Sequence, residues 1–242
     1  MLRTAAASLV LAVSLPWATE ASAQTPISRI TQAEVIELQW RDFREFSQRQ
    51  RTQGVAIDDA TRTLAVDQVF ARLLPVAWRQ FPASRSMRWE VLLTNDESIE
   101  ARAYPSGQIV LSAPFVSRFV RSEDEMAFLL AHEMAHVLLE HGRLGYEAAV
   151  PYTRLAGPVD AQLMHENLQS SLTLLLRLYP LLRAHENEAD RLGGQLADAA
   201  GFRRSGGAQL LERMAAAGGE LSPTHDSLQS RSAALRLSLA ED

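Results

Sequence analysis

Cysteine and lysine are both missing from this chain of 242 residues. The lack of cysteine excludes thiol nucleophiles, thiolate metal sites, disulfides and lipid anchors attached through cysteine. All 24 basic residues are arginine, which excludes any mechanism that needs a catalytic lysine. The formal net charge of −5 leaves no basic excess to neutralise phosphates, so we expect no nucleic-acid partner.

Long apolar runs are also scarce. Residues 1–23 place Arg3 before an apolar run at 5–13 and end on the small residues 21–23, a pattern typical of a cleavable secretory signal. An uncleaved N-terminal anchor is the alternative. No later segment has about 18 uninterrupted apolar residues, so we expect a chain that does not span a membrane. The mature chain would begin near Gln24, and export without cysteine fits a periplasmic location in a bacterial envelope.

The remaining sequence predicts an α+β fold that is mainly helical. Helical patterns cover 30–46 and 57–81, the second bent or broken near Pro75, and resume from Ser122 onward. Short strands are expected between them, at 87–94, 101–104 and 108–112. We therefore expect a helical extension over 24–54 and one domain over 55–242, with helices packed on a small sheet.

One helix carries a chemical motif. Ser122 and Glu125 form the pattern of a capping box at its start, and Gly142 is a plausible end. Within it, His132 and His136 are one turn apart on the same face, so both imidazoles can reach one metal ion. Glu133 can face the open coordination position and accept a proton from a zinc-activated water, whose pKa is about 7.

A solvated face with two unrelated histidines would explain the same spacing. Apolar residues flank the motif on both sides, however, as in Phe128-Leu129-Leu130 and Val137-Leu138. The helix is therefore predicted to be largely buried, and buried histidines and a buried glutamate require a reason. This favours the metal site.

A catalytic zinc needs a third protein ligand. Glu186 and Asp190 are four residues apart and share a helical face, so Glu186 could bind the metal while Asp190 holds a ligand imidazole. By spacing alone, an exposed acidic helix paired with arginines is the better explanation. The candidate ligands downstream of the motif are His141, Glu147, His165, Glu166, His185, Glu186 and Glu188.

The order of the motifs resembles a known family. HEMAH, then about fifty residues, then ENEAD is similar to the M48 family of zinc metallopeptidases, which are gluzincins, and the resemblance covers roughly 57–237. Arg183, Glu186, Ala189 and Asp190 match the family pattern R-x-x-E-x-x-A-D. The resemblance implies that Glu186 is the third zinc ligand and that Asp190 supports a ligand histidine or donates a proton.

A further element lies near the end of the chain. The segment 223–226 (PTHD) and Arg231 resemble the family's T-H-P…R element, with Asp226 in place of the usual proline. The resemblance implies that His225 or Arg231 lies near the zinc. Either would stabilise the oxyanion that forms during hydrolysis.

These expectations combine into a function. The chain is predicted to be a zinc endopeptidase with one Zn²⁺ held by His132, His136 and Glu186, and with Glu133 as the base. Strand 108–112 would hold an extended substrate by edge pairing, which allows broad sequence preference. Substrates would be unfolded or misfolded exported proteins, in envelope quality control.

Three alternatives stay open at this stage. A chaperone or assembly factor could keep the fold with little proteolysis, although a pure binder has no need of Glu133. A structural zinc module would need four protein ligands. Segment 172–182 is predicted to be a core helix, with a lid or a membrane-surface contact as the alternative.

Overall fold

The computed structural model describes residues 30–153, 157–218 and 227–240, without the side chains of 60–62 and 238–240. The leader predicted over 1–23 lies outside these ranges. Helices dominate the described residues, and the α+β class is confirmed. The helices are α1 Gln32–Thr52, α2 Ala60–Gln80, α3 Ala113–Phe119, α4 Glu123–Leu138, α5 His141–Ala149, α6 Ala161–Ser170, α7 Leu172–Ala199, α8 Ser205–Ala216 and α9 Leu228–Ala240, and the strands are β1 Ala56–Ile57, β2 Glu90–Thr94, β3 Ala101–Ala103 and β4 Gln108–Ser112.

The four strands form one mixed sheet in the order β1-β2-β4-β3. β2 and β4 are parallel, whereas β1 and β3 pair antiparallel with their neighbours. The expectation that 108–112 is an edge strand is therefore wrong, since β4 has a partner on each side. The sequence pattern defines the strand itself, but its place in the sheet depends on pairing with residues elsewhere in the chain. The edge strands of this sheet are β1 and β3, and β3 is the one that pairs with β4.

Both faces of the sheet are covered by helices. Because side chains alternate along each strand, neighbouring residues pack into different cores. Leu93, Ile109 and Leu111 point into the main core, which also contains residues of α2, α4, α7 and α8. Leu92 and Val110 point to the opposite face.

Helix α1 covers that opposite face, where Phe43 packs against Leu92, Val110 and Tyr104. The helix begins at a capping box in which Glu34 N donates to Thr31 Oγ1 and Thr31 N donates to Glu34. It continues to Thr52, beyond the predicted end near residue 46. The proposed division between 24–54 and 55–242 stays a prediction, and α1 is packed on the sheet.

The helix predicted over 57–81 differs from the structure in two respects: it is not broken at Pro75, and it does not begin at Ile57. Helix α2 contains Pro75 without a break and ends only at Gln80, since the missing N–H costs one hydrogen bond while Leu73, Val76 and Ala77 are buried around it. Ile57, predicted as helical, lies in β1 opposite Leu93.

Helix α4 ends before the glycine predicted to stop it. Its last residue is Leu138, and Glu140 has a left-handed backbone with φ of 56°. A left-handed residue cannot continue a right-handed helix, so the chain turns there and α5 starts at His141. Gly142 lies inside α5, where a Cβ would approach Pro105 Cγ to 2.6 Å.

Segment 172–182 forms the first part of α7, a single helix of 28 residues that also contains Glu186. Leu174 and Leu178 are buried in a second apolar cluster, as expected of a core helix. Leu172 and Leu176 on the other side are 71% and 56% exposed. In the described residues, the helices are too short or too polar to cross a bilayer.

Candidate active site

The motif helix α4 is fixed at its N-terminus. Ser122 Oγ accepts a hydrogen bond of 3.3 Å from Glu125 N, as the capping box predicts. The Glu125 carboxylate does not complete the box at Ser122. It accepts 2.6 Å from Arg121 N and two bonds, of 2.7 and 2.9 Å, from Arg213 on α8. This ion pair between the partly exposed Arg213 and the buried Glu125 joins α4 to α8.

Helix α7 crosses α4 at the motif itself. A Cβ at Gly193 would lie 2.8 Å from His132 N, so only glycine permits this approach of the two backbones. The approach places Glu186 and Asp190 beside the motif, and both are buried. The prediction of an exposed acidic helix, which the spacing favoured, is therefore wrong for this face of α7.

Three side chains converge where the two helices meet. His132 Nε2 lies 3.2 Å from His136 Nε2, and these atoms lie 3.4 and 3.3 Å from the two Glu186 oxygens. Tetrahedral zinc with bonds of about 2.0–2.1 Å separates its ligand atoms by about 3.3 Å. The two nitrogens and the carboxylate therefore match a zinc-like donor set in both chemistry and spacing.

The charge around His132 also favours a cation. Its Nδ1 lies 3.0 Å from Asp190 Oδ1, on the ring edge opposite Glu186. Burial lowers the pKa of His132, but hydrogen bonds and charges from Asp190 and Glu186 outweigh it and raise the pKa to about 10. The two carboxylates therefore stabilise a positive charge on the His132 ring, whether a proton or a metal ion at Nε2 supplies it.

Arg231 on α9 holds the opposite side of Asp190. Its Nε and one Nη donate bonds of 2.7 Å to the two carboxylate oxygens, and a second Nη lies 3.4 Å from Glu186 Oε2. Burial raises the pKa of Asp190, but hydrogen bonds from Arg231 and His132 lower the pKa by a larger amount, so the net shift is downward. Arg231 is thus committed to the carboxylate that orients His132.

A cleft of about 340 Å³ opens in front of this cluster. Glu133 lines the cleft beside the two histidines and is 8% exposed. Ala101 and Ala103 of β3 form one wall, and Leu182 of α7 forms part of another.

The β3 wall offers main-chain groups. Tyr104 N donates to Gln108 O, and Ser112 N donates to Glu100 O, so the even-numbered residues pair with β4. In an antiparallel ladder, the residues between these pairs direct their main-chain groups away from the partner strand. Ala101 and Ala103 therefore direct their N–H and C=O groups to the outer edge, which faces the cleft.

Sequence reasoning missed the role of His141 and His185, which entered only as possible ligands. His141 Nδ1 lies 2.9 Å from His136 Nδ1, behind the ligand rather than beside the metal position. Its ring stacks on His185 with centroids 4.0 Å apart. Burial, and then the charges of His136 and His185, lower the pKa of His141 to about 3. The density of histidines around the end of α4 was the available signal.

The other candidates lie elsewhere. Glu147 pairs with Arg143 at 2.7 Å, His165 lies 3.1 Å from Asp42, and the exposed Glu166 accepts from Gln162. His225 lies outside the described residues.

Known proteins with similar sequences are named as metalloendopeptidases. A mitochondrial metalloendopeptidase OMA1 from Arabidopsis thaliana is 29% identical over 132 residues, or 54% of this chain and 27% of the relative. The protein of the same name from Schizosaccharomyces pombe is 28% identical over 165 residues, or 66% and 46%. The one from Saccharomyces cerevisiae is 25% identical over 175 residues, or 69% and 50%. The chain thus spans half the length of these relatives or less.

A family comparison covers more of the chain. The sequence model of peptidase family M48 matches residues 60–238, which include α4, α7 and most of α9. The match contains every residue of the cluster described above. On this evidence, the chain belongs to peptidase family M48.

Proposed function

We propose that the chain is a zinc-dependent endopeptidase. The observation that carries this proposal is the spacing of His132 Nε2, His136 Nε2 and the Glu186 oxygens, 3.2–3.4 Å apart beside an open cleft. Zinc bound there would polarise a substrate carbonyl and make water nucleophilic near neutral pH. The relatives are named as metalloendopeptidases, which supports the same reaction class.

Glu133 acts as general base in this proposal. It follows His132 on α4 and lies in the cleft. Its carboxylate takes one proton from the attacking water as the oxygen bonds to the carbonyl carbon. It then delivers that proton to the leaving amine as the C–N bond breaks, so the base is restored.

Arg231 and Asp190 serve a positioning role. Arg231 holds Asp190 at 2.7 Å, and Asp190 lies against Nδ1 of His132. A carboxylate at this place fixes the ring so that Nε2 faces the metal. We assign oxyanion stabilisation to His225 rather than to Arg231, because the Arg231 guanidinium is already committed to carboxylates.

The substrate would lie in the cleft as an extended strand beside β3. The outward main-chain groups of Ala101 and Ala103 can pair with a peptide backbone of any sequence. Such pairing needs an unfolded segment, which supports unfolded or misfolded proteins as substrates. This assigns to β3 the role expected of 108–112.

The exported location is part of the same proposal. It rests on the pattern of 1–23, and quality control of envelope proteins would follow from it, whereas the relatives are named as mitochondrial. A chaperone or assembly factor is the second candidate, supported by the exposed leucines of α7. Cell fractionation with an antibody to the mature chain tests the location.

Cleavage of a labelled, permanently unfolded protein tests the reaction. Wild type and Glu133→Gln are compared, with zinc measured in the same samples. The variant should keep its zinc and lose about 10²- to 10⁴-fold in turnover, because the amide cannot accept the proton. Equal cleavage by both proteins would refute the enzymatic proposal, and binding without cleavage by wild type would favour the chaperone.

A further inference from the structure

Glu188 of α7 is connected to the motif histidine His136 through the ring of His141. His141 Nδ1 lies 2.9 Å from His136 Nδ1, and His141 Nε2 lies 3.2 Å from Glu188 Oε2. The chain His136, His141, Glu188 thus runs from the centre of the cluster to the surface, where the Glu188 side chain is 51% exposed.

The tautomers along this chain are fixed by chemistry. His136 Nε2 faces the cluster, 3.3 Å from Glu186 Oε1. When that nitrogen binds a metal, the remaining proton of the ring is on Nδ1, which must donate. His141 Nδ1 is then the acceptor. The proton of His141 is on Nε2, which donates to the Glu188 carboxylate.

We propose that His141 and Glu188 are positioning residues that orient His136 and increase its basicity as a metal ligand. This inference rests on the proposed zinc site. The relay is the counterpart of Asp190, which contacts His132 directly at 3.0 Å. Each motif histidine is thereby tied to α7 by a carboxylate, one directly and one through an imidazole.

The surroundings of His141 suit this role. Its ring is buried and lies parallel to the ring of His185, with an angle of 3° between them. Stacking and burial together restrict the rotation of His141. The left-handed Glu140 directly before it sets the turn from α4 to α5, which directs His141 back toward His136.

Zinc affinity is the primary test, measured by competition with a chromogenic chelator. His141→Leu fills similar space without an acceptor and should weaken zinc binding by about 10- to 100-fold. His141→Asn keeps an oxygen near the Nδ1 position and should recover much of that affinity. Glu188→Gln keeps an acceptor but loses the charge. Because Glu188 is half exposed, its loss should be at the low end, about tenfold.

The double variant separates a relay from a general loss of structure. His141→Leu combined with Glu188→Gln should bind zinc no more weakly than His141→Leu alone, because both changes break one chain. The absorption spectrum of the Co²⁺-substituted protein should shift in His141→Leu. Asp198→Asn is the charge-matched control, because it removes a carboxylate of the same helix about 15 Å further along and should leave zinc affinity unchanged.

Each result decides the matter. If wild type holds no zinc, the proposed function fails together with the relay. If wild type holds zinc and a folded His141→Leu binds it equally well, the relay alone is wrong. If His141→Leu does not fold, the zinc affinity of Glu188→Gln is the deciding measurement. A Glu188→Gln protein that binds zinc as tightly as wild type overturns the proposal.

Discussion

Arg231 donates two hydrogen bonds of 2.7 Å to Asp190, and both side chains are buried. Asp190 in turn lies 3.0 Å from His132 Nδ1, so α9 acts on a motif histidine through α7. The last helix of the chain thereby helps to orient a candidate metal ligand on α4.

Removal of Arg231 should therefore destabilise the protein. Arg231→Met leaves the buried Asp190 without its cation, which typically costs about 3–5 kcal/mol in the free energy of unfolding. Denaturant titration of the purified chain measures this. Arg236→Met is the matched control on the same helix, because Arg236 pairs with the exposed Glu212 and its loss should have little effect. Similar losses in both variants would contradict the buried-pair assignment.

Loss of a residue that only supports a metal ligand typically weakens metal binding by about 10- to 100-fold. Glu186→Ala should weaken zinc binding by more than that. The change removes one of three candidate ligands and leaves two histidines. Chelator competition measures the affinity, and circular dichroism checks the fold. Glu166→Ala, on the surface of α6, should bind zinc as wild type does. Full zinc retention by Glu186→Ala would exclude Glu186 as a ligand.

Ala103→Pro tests the β3 edge. Proline has no N–H, so a substrate strand would lose one main-chain bond of about 1 kcal/mol, which corresponds to about a fivefold fall in kcat/KM. Zinc content should not change, because β3 supplies no member of the metal cluster. Ala103→Ser keeps the N–H and serves as the control. An unchanged kcat/KM in a folded Ala103→Pro would move the substrate away from this edge.

The metal-free protein should show a specific pH dependence. Asp190 and Glu186 raise the pKa of His132 from about 6.5 to about 10 against the opposing effect of burial. A raised pKa in the folded state gives stability that is fully present below the unfolded pKa. That stability is lost as the pH rises through the folded value. Unfolding of chelator-treated protein should thus become easier between about pH 6.5 and 10.

Two controls accompany this measurement. His132→Asn removes the titrating ring and should flatten the pH dependence in that window. Zinc-loaded wild type should also lack it, because the metal occupies Nε2 in place of the proton. A chelator-treated protein equally stable throughout the window would show that His132 is not held charged by these carboxylates.

Predictions based on local spacing agree well with the structure. His132 and His136 are four residues apart in a helix, so their shared face follows from helix geometry alone. The Ser122 cap depends on residues three apart, and it is present. β4 has the predicted bounds, because a short run of apolar residues after a turn signal defines a strand locally.

Predictions that needed partners distant in the chain were less accurate. Glu125 was expected to complete a local capping box, yet it binds Arg213, 88 residues away. β4 was expected at the edge, but β3 pairs on one side of it and β2 on the other. The local sequence does not reveal either partner, because the same strand can pair with different strands and the same carboxylate can bind different donors.

The sequence by itself determined the motif helix, the pair of histidines with Glu133, and a set of acidic candidates on a second helix. Among those acids, the family resemblance pointed to Glu186 and Asp190. Only the tertiary structure decided which acids are buried beside the motif, because the crossing of α7 and α4 at Gly193 turns Glu186 and Asp190 inward and leaves Glu188 half exposed. The left-handed turn at Glu140 brought His141 behind His136. Helical spacing is a property of neighbouring residues, whereas the angle and contact point of two helices depend on side chains packed from the whole core.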